Sequence, residues 1–309
     1  MSTYNPECSN KIFIQESASI IEEVKSILSS IDFMDHNAVE ETFKDTVKLF
    51  KGQFRGYQAC KTKYHDLNHT LAVFLATARL VHGAVIDGRS ISIDMIAIGL
   101  ISALFHDAGL IQTEDEQDGT GAKFTLGHEE RSITFIKKYL KQRHLYESYL
   151  DDCAHIIGCT IITLLPGDIP FRSEESELIG KIVGSADLLA QMADRLYLEK
   201  LLYLYKEFEE GQIPGFESEF DLLKKTGSFY EEVARKRLDI DLGSVWALMR
   251  IHFKDRLGMD RDFYHENIQK NIKYLQDVIL KKGYIATRHG FSKSSKSLHD
   301  AILGMYNYR

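Results

Sequence analysis

The chain has 309 residues, of which 44% are hydrophobic and 27% are charged, the composition of an ordinary folded protein. Its net charge is −7, and its basic residues form only short, scattered groups. This distribution argues against a nucleic-acid polymer as a partner, because proteins that bind one usually carry a clustered basic face. A chain of this length forms one large domain or two ordinary ones and buries a substantial core.

The cysteines and the apolar segments indicate the compartment. Cys8, Cys60, Cys153 and Cys159 form no CxxC pair and no zinc-binding spacing, as is typical of free thiols in a reducing compartment. The N-terminal residues lack the basic segment and apolar core of a signal peptide. The apolar run over residues 95–105 is shorter than the roughly 20 residues that span a bilayer. We therefore expect a cytoplasmic protein with no membrane partner.

Only four prolines occur, so long stretches lack the commonest helix breaker. The sequence shows neither an internal repeat nor the alternating pattern of strands. It therefore predicts an all-α protein, folded as a compact multi-helix bundle. We expect a single domain over residues 1–309, in which residues 1–55 form an N-terminal helical extension, residues 56–280 the core and residues 281–309 a tail.

The first half of the chain shows helical periodicity with one interruption. Residues 10–50 predict two helices, and residues 51–63 predict a linker. The helix predicted for residues 64–82 is apolar on both sides, which indicates a buried element. The helix predicted for residues 93–104 is apolar almost all round, which indicates packing on every side. We expect Gly109 to end this second element.

The second half of the chain begins with a polar stretch and then returns to a helical period. Residues 112–123, which include two glycines, predict a loop of the kind that often contacts ligands. Helices are predicted from residue 127 to about residue 146 and over residues 151–165. Two linked helices are predicted over residues 176–209, and residues 217–280 are helical in period.

The first polar motif is His65-x-x-x-His69, in the sequence YHDLNHT. If both histidines lie on the predicted helix, their side chains stack along one face. One ring then binds a cation while the other points at whatever that cation binds. Taken alone, this spacing is more typical of two histidines on a helix surface.

Two further motifs place acidic groups beside apolar helices. His106-Asp107 closes an apolar helix, and two groups that are costly to bury there require either a cation or a hydrogen bond to each other. Asp187 begins a strongly apolar stretch, where an acid commonly caps the start of a helix. Explaining the motifs separately needs three unrelated reasons. One divalent cation, held by imidazole nitrogens and carboxylate oxygens, accounts for all of them.

The three motifs, in this order, resemble the HD-domain metal-dependent phosphohydrolase superfamily. Within it, YHDLNHT and the segment SADL around Asp187 are similar to the catalytic domain of class I cyclic-nucleotide phosphodiesterases. The similar region covers residues 60–200, about half of the chain. The chain differs from the phosphodiesterases at Asp66 and Leu110, where they usually carry Asn and His. No downstream segment resembles their clamp of glutamine and phenylalanine around the nucleotide.

The resemblance implies a role for each matched residue. His69, His106, Asp107 and Asp187 would ligate the first metal ion, and Asp107 would bridge to a second ion held largely by water. His65 would be the proton donor. The cofactor would be one or two divalent metal ions, and the residues do not distinguish among Mg, Mn, Zn, Fe and Ni.

Further candidates surround these residues. His128 and Glu129 occupy the region where the relatives place ligands of a second metal or groups that support the first. Gln191 lies one turn beyond Asp187 and is expected to face the same cavity. His155 lies in a largely apolar predicted helix and is expected to be a core histidine, although the motif order with His128 and His155 included also resembles HD proteins with two protein-ligated irons. The remaining histidines are expected to be structural or solvated: His36, His82, His144, His252, His265, His289 and His299.

The residues and the resemblance together predict a metal-dependent phosphohydrolase that cleaves a phosphoester of a nucleotide-like small molecule, either a cyclic diester or a monoester. Two ions about 3.5–4 Å apart would polarise the phosphoryl oxygens and activate a water for attack, while His65 protonates the departing oxygen. Two other classes stay open, an HD-fold di-iron oxygenase and a non-catalytic metal-dependent nucleotide sensor. A homo-oligomer is compatible with the sequence.

Several basic side chains near the motifs are candidates for contacts with the substrate phosphate. Ordinary surface charge is nevertheless the stronger explanation for each of them, because charged residues are most often simply solvated. These side chains are Lys61, Lys63, Lys123 and Arg131.

Overall fold

The computed structural model describes residues 16–33 and 36–281. Within these ranges the chain forms eleven α-helices with short 3₁₀- and π-helical stretches and no β-strand. Two isolated bridges, Lys51 with Ala59 and Tyr57 with Thr113, tie down the segment between the second and third helices. The predicted all-α bundle is confirmed.

The α-helices are α1 (Ser17–Ser29), α2 (Asn37–Phe50), α3 (Leu67–Ile86), α4 (Ile93–Phe105), α5 (His128–Arg143), α6 (Leu150–Gly158), α7 (Glu174–Ala193), α8 (Tyr197–Glu210), α9 (Glu219–Ser228), α10 (Leu248–Leu257) and α11 (Phe263–Tyr274). A 3₁₀ turn, Ala108–Leu110, follows α4, and another, Ala122–Phe124, precedes α5. The chain after α9 continues in π-helical form over Phe229–Ala234 and Arg237–Asp241.

Helices α3, α4 and α7 form the centre of the bundle. Every residue of α4 from Met95 to Phe105 is buried, as the apolar composition of this helix predicts. Helix α3 packs against α1, α4, α7 and α10, and α7 packs in addition against α6 and α11. Burying helices on all sides removes a large apolar area from water, which is the main favourable term in folding. The polar motifs lie on or next to these closely packed helices.

The N-terminal helices belong to the same hydrophobic core. Val24 and Leu28 of α1 and Phe43 and Leu49 of α2 are all buried in it. Asp45 of α2 accepts a hydrogen bond from the hydroxyl of a buried tyrosine on α5. Residues 16–50 thus pack onto the bundle and cover one side of α3 and α4. The predicted tail from residue 282 onward, together with Cys8, His289 and His299, lies outside the described residues.

The predicted helical position of His65 is wrong. Helix α3 begins at Leu67, and Asp66 is its N-cap, with an extended backbone and a side chain that accepts a hydrogen bond from the backbone N–H of His69 at 2.9 Å. Asp is among the residues that best satisfy the free N–H groups of a first turn. His65 therefore precedes the helix, and its ring does not stack along the face that carries His69.

The predicted helix start at Asp187 is also wrong. Helix α7 begins at Glu174, where the Ser173 hydroxyl accepts a hydrogen bond from the N–H of Ser176 as N-cap. Asp187 lies in the second half of this helix, so it caps nothing. Its carboxylate projects from the middle of a buried element, which is a more demanding position than a helix end and calls for a partner.

Two other predicted boundaries differ from the structure. The helix expected over residues 151–165 ends at Gly158. Gly109 does not end α4 as a left-handed cap but lies in the following 3₁₀ turn. A Cβ on Gly109 would lie 2.0 Å from the carbonyl oxygen of His128, so this glycine allows α5 to approach the end of α4 closely.

Two of the core helices have the length and apolar composition of membrane spans. These segments are Leu67–Ile86 and Ile93–Leu110. Of the most apolar 18-residue stretch in each, 83% and 89% of the residues are buried inside the fold. Burial of this extent is what central helices of a packed bundle show, so composition alone gives no support for a membrane partner.

Candidate metal centre

Three central helices bring the polar motifs together. His69 lies in the first turn of α3, His106 is the C-cap of α4, and Asp107 follows it. All three side chains are buried, and one potential ligand atom from each lies within 4.8 Å of the others. Asp187 on α7 completes the group that we call the His/Asp cluster (His69, His106, Asp107 and Asp187).

The distances inside the His/Asp cluster are short. His69 Nε2 lies 3.3 Å from His106 Nε2, 3.1 Å from Asp187 Oδ1 and 3.4 Å from Asp107 Oδ2. His106 Nε2 lies 3.2 Å from the same Asp107 oxygen and 3.7 Å from Asp187 Oδ1. Two imidazole nitrogens and two carboxylate oxygens thus converge on one point, which is a donor set that suits a divalent transition metal.

Asp107 Oδ2 is buried without a hydrogen-bond partner among the described residues. A buried carboxylate oxygen that is left unpaired carries a large desolvation cost. The two imidazole nitrogens nearest to it belong to His69 and His106, and a cation between these groups would satisfy all of them together. This orphaned oxygen is the structural sign that the His/Asp cluster fits a metal ion.

The orientation of the His106 ring is fixed by the backbone. His106 Nδ1 lies 2.9 Å from the carbonyl oxygen of Ala103. Because a carbonyl only accepts hydrogen bonds, Nδ1 carries the proton, and Nε2 is the nitrogen whose lone pair faces the His/Asp cluster when the ring is neutral. Such a hydrogen bond on the distal nitrogen is typical of metal-ligating histidines.

His128 adjoins the His/Asp cluster through the other oxygen of Asp107. Its Nε2 lies 3.2 Å from Asp107 Oδ1, and its Nδ1 lies 2.9 Å from the carbonyl oxygen of Thr125, which fixes this ring in the same way. Glu129 Oε2 lies 3.3 Å from His128 Nδ1. Asp107 therefore faces His69 and His106 with one oxygen and His128 with the other, which is the arrangement a bridging carboxylate needs.

The charges at the site favour positive charge between the carboxylates. Burial alone would raise the pKa of Asp107, but the neighbouring histidines outweigh it and hold that pKa well below its usual range. Burial alone would lower the pKa of His106 and His128, yet the carboxylate of Asp107 outweighs it and raises each pKa to about 9. The site thus attracts cations, either protons or a metal ion.

His65 lies at the edge of the site and is held by an acid that sequence reasoning missed. His65 Nδ1 lies 2.7 Å from Oε2 of Glu207, a buried residue of α8. Glu207 Oε1 accepts hydrogen bonds from the backbone N–H groups of Lys63 and Tyr64. The His65 ring centre lies 6.0 Å from that of His128 and 5.9 Å from that of His69.

The His65–Glu207 pair also sets the charge of this histidine. Burial works to lower the pKa of His65, but the hydrogen bond to Glu207 and the negative charge of Asp107 outweigh it, so that the pKa is raised. No local signal in the sequence distinguishes Glu207, because it lies in an acidic run, EFEE, and reaches His65 only through the docking of α8.

Gln191 and Tyr64 form a second layer around Asp187. Gln191 Nε2 donates to Asp187 Oδ1 at 3.3 Å, and the hydroxyl of Tyr64 donates to Gln191 Oε1 at 2.7 Å. Burial raises the pKa of Tyr64 well above its usual value, so its hydroxyl stays protonated as a donor. The structure thus places Gln191 beside Asp187 and adds Tyr64, which sequence reasoning had not singled out.

Two of the sequence candidates, His155 and Arg131, have other contacts. His155 packs edge-on against Phe171, with ring centres 5.9 Å apart, and it is not part of the metal-ligand group found among the described residues. Arg131 donates to the carbonyl oxygen of Gly109 and pairs with Glu116. Its guanidinium lies 3.7 Å above the ring of Phe124. These contacts give Arg131 a structural role in fixing the loop.

The site is buried but has one edge open to solvent. The exposed fractions of the His65, Asp187 and His128 side chains are 17%, 15% and 14%. A cavity of about 570 Å³ next to the site includes none of the His/Asp cluster residues, although Glu207 lines it. The chemistry of the donor atoms, rather than cavity size, therefore identifies the candidate metal centre.

Fold and site together define an all-α protein with a buried group of histidine and aspartate side chains that is able to hold a metal ion. Residues 38–243, well over half of the chain, match a protein family described as Npun_R2479-like, and the chain belongs to that family. The matched range contains the His/Asp cluster together with His65, His128 and Glu207. No curated protein and no solved structure matches the chain.

Proposed function

We propose that this protein is a metal-dependent phosphohydrolase that cleaves a phosphoester bond of a nucleotide-like small molecule. The observation that carries the proposal is the buried convergence of His69, His106 and Asp107, with Asp187 Oδ1 3.1 Å from His69 Nε2. The unpaired Oδ2 of Asp107 in the middle of this group supports it. The resemblance of the three motifs to HD-domain phosphohydrolases supplies the reaction class.

The His/Asp cluster would hold the metal ion, and its mixed nitrogen and oxygen donors suit a divalent transition metal such as Mn, Fe, Ni or Zn. A divalent ion bound there supplies Lewis-acid polarisation of a phosphoryl oxygen and a water of lowered pKa. His128, which contacts Oδ1 of Asp107, and Glu129 are the residues best placed to support a second ion. Such a cationic centre also explains how a protein of net charge −7 binds an anionic substrate.

His65 is the proposed proton donor. Glu207 accepts the hydrogen bond from Nδ1, so Nε2 is the nitrogen left to deliver a proton to the departing oxygen. Glu207 itself is held by two backbone N–H groups, so it acts as a positioning residue that fixes the ring and favours its protonated form. A proton donor next to a metal-ligand group serves catalysis, whereas a passive binding protein has no need for one.

The di-iron oxygenase alternative receives less support. A site with two protein-ligated irons would require His155 in addition to His128, and His155 packs against Phe171 instead. The support for hydrolysis comes from the His65–Glu207 pair, which holds an imidazole beside the His/Asp cluster. We therefore propose the phosphohydrolase alone.

A comparison of three variants tests the proposal. Metal content and hydrolysis of a panel of cyclic and acyclic phosphoesters are measured for the wild type, His69→Ala and His65→Ala, with each divalent metal supplied in turn. We expect His69→Ala to lose both metal and turnover. We expect His65→Ala to keep its metal and to lose about 10²–10⁴-fold in rate, the range typical of general acid catalysis.

His144→Ala is the matched control, because His144 is a surface histidine whose side chain is 87% exposed. It should retain both metal and activity. A wild-type protein that binds metal but hydrolyses no phosphoester with any divalent ion would refute the enzyme and favour a metal-dependent sensor. Full activity of His65→Ala would remove that residue from the mechanism.

A further inference from the structure

A cavity lies beside the candidate metal centre, and Glu207 is part of its lining. Its volume is about 570 Å³, which falls in the range of small-molecule sites. One wall is the segment of residues 61–63, just before α3, and the opposite wall is α8. Because the cavity includes no side chain of the His/Asp cluster, we treat it as a separate feature.

One whole face of α8 lines this cavity. The lining residues recur at steps of one and three, so they lie along a single stripe of the helix. Tyr203 and Leu202 give this stripe an apolar centre, and Tyr203 is 44% exposed although it is a large aromatic residue. An aromatic ring exposed inside a concave surface is typical of ligand sites. The members of the stripe are Glu199, Leu202, Tyr203, Lys206, Glu207 and Glu210.

Two of the carboxylates on this face, those of Glu207 and Glu210, are held by hydrogen bonds from the protein. Glu207 accepts from the N–H groups of Lys63 and Tyr64 and pairs with His65. Glu210 accepts two hydrogen bonds from Thr120. Their negative charges are therefore held by the fold and give a ligand few acceptors to contact.

Two lysines at the cavity have no such partner. Lys61 Nζ donates to the neutral amide oxygens of Gln58 and Gln112, at 2.7 and 3.3 Å. Lys63 Nζ lies 5.5 Å from the ring centre of Tyr203, which is within cation–π range. Neither ammonium forms an ion pair within the described residues. Their charges are therefore free to meet an anion from outside the chain.

We propose that this cavity binds a small organic anion with a flat ring. The ring would pack on Tyr203 and Leu202, and its acidic group would accept hydrogen bonds from Lys61 and Lys63. Hydrogen bonds between charged partners are the strong ones, and Lys is a common partner of carboxylate and phosphate groups. Binding at this site needs no metal, because no residue of the His/Asp cluster lines it.

The test uses two fluorescent probes that differ in charge. Anilinonaphthalene sulfonate carries one negative charge, and phenylnaphthylamine is its neutral counterpart. Both are titrated into the full chain, with and without a chelator. We expect the anionic probe to bind the wild type in either condition and to bind about tenfold or more weakly to the double variant Lys61→Met, Lys63→Met. The neutral probe should bind both proteins alike.

Lys224→Met is the matched control, because Lys224 is an exposed lysine that lies 4.7 Å from the ring centre of Phe220 on α9. It should leave binding of the anionic probe unchanged. Equal affinity of the wild type and the double variant, or an equal loss in Lys224→Met, would overturn the proposal. Loss of binding on chelation would also overturn it, by assigning the probe to the metal centre.

A second measurement uses only the wild type, so its result does not depend on whether the double variant folds. Added salt screens charges, so rising ionic strength should weaken binding of the anionic probe and leave the neutral probe unaffected. Salt-independent binding of the anionic probe would contradict a contact with the two lysines. Neither readout depends on turnover, so failure here is distinguishable from failure of the phosphohydrolase proposal.

Discussion

Helix α3 carries two buried histidines, and each meets a histidine from another helix. His69, in the first turn, meets His106 with ring centres 5.3 Å apart. His82, near the other end, meets His252 of α10 with ring centres 4.8 Å apart and an edge-to-face geometry. By residue type and burial alone the two pairs are nearly equivalent. Only the charges around them differ.

Carboxylates surround the first pair, and guanidinium groups surround the second. Burial lowers the pKa of His252 to about 2, and the charge of Arg79 adds to the effect. The pKa of His82 is also lowered by burial, against the pull of Asp255, whose Oδ2 lies 3.5 Å from Nε2 but whose side chain is 46% exposed. The second pair therefore stays neutral and packs as part of the core.

The comparison teaches that buried histidines indicate a metal centre only when negative charge accompanies them. At the His/Asp cluster the buried carboxylate of Asp107 and the partly buried one of Asp187 face the imidazoles, so a cation lowers the energy of every group present. At the His82–His252 pair a cation would add to the positive charge of Arg79 and would raise the energy.

The largest expected effect comes from neutralising the carboxylate of Asp107. Asp107→Asn keeps the shape of the side chain but removes its charge and one acceptor oxygen. We expect metal affinity to fall by more than about 100-fold, the upper end of what changes in supporting groups cost. Elemental analysis after dialysis and a metal titration measure this change.

Asp255→Asn is the control at the other pair, because it removes a carboxylate near His82 in the same way. It should leave the metal content unchanged. An Asp107→Asn protein that retains a full complement of metal would show that the His/Asp cluster is not the metal centre.

The second prediction concerns acid stability and the His82–His252 pair. The pKa of His252 is about 2 in the folded protein, whereas an ordinary histidine has a pKa of 6.5. Below pH 6.5 the unfolded chain therefore binds a proton at His252 that the folded protein does not bind. The free energy of unfolding should therefore fall as the pH drops below 6.5, by about 1.4 kcal/mol per pH unit from this group. Above pH 6.5 His252 is neutral in both states and does not change the free energy of unfolding.

His252→Gln removes the titrating group and should flatten the acid side of the stability profile. Denaturant unfolding at several values between pH 7 and pH 5 measures the difference between the wild type and the variant. Parallel profiles for the two proteins would contradict a neutral, buried His252.

The all-α fold class could be predicted from the sequence, and the polar motifs could be recognised in it, because both depend on local sequence pattern. The apolar composition of α4 predicts its burial, and the order of His69, His106-Asp107 and Asp187 predicts that they act together. The structure brings these four residues into one group. Their role as metal ligands stays a prediction.

Positions that depend on boundaries or tertiary docking could not be predicted. Asp66 is compatible with the first turn of a helix or with its cap, and a shift of two residues in the start of α3 decides whether His65 is helical. Glu207 contacts His65 only because α8 packs against the segment before α3. The local sequence around either residue does not predict that contact. His82 and His252 meet for the same reason, across α3 and α10.

The smallest expected effect lies in the layer that supports Asp187. Tyr64→Phe removes the hydroxyl that donates to Gln191 Oε1 and frees the Gln191 amide to turn away from Asp187. Metal affinity should fall by about tenfold, the lower end of the range for such support, and stability should fall by about 1 kcal/mol. A metal titration and denaturant unfolding measure the two changes.

Tyr230→Phe is the matched control, because the hydroxyl of this buried tyrosine also bonds to a glutamine, accepting from Gln269 Nε2 at 2.6 Å, but does so away from the His/Asp cluster. It should cost a similar amount of stability and leave metal affinity unchanged. If both variants weakened metal binding equally, the effect of Tyr64 would be a general loosening of the fold. A loss confined to Tyr64→Phe would instead show that the hydrogen bonds from Tyr64 through Gln191 hold the Asp187 carboxylate in the orientation that a cation needs.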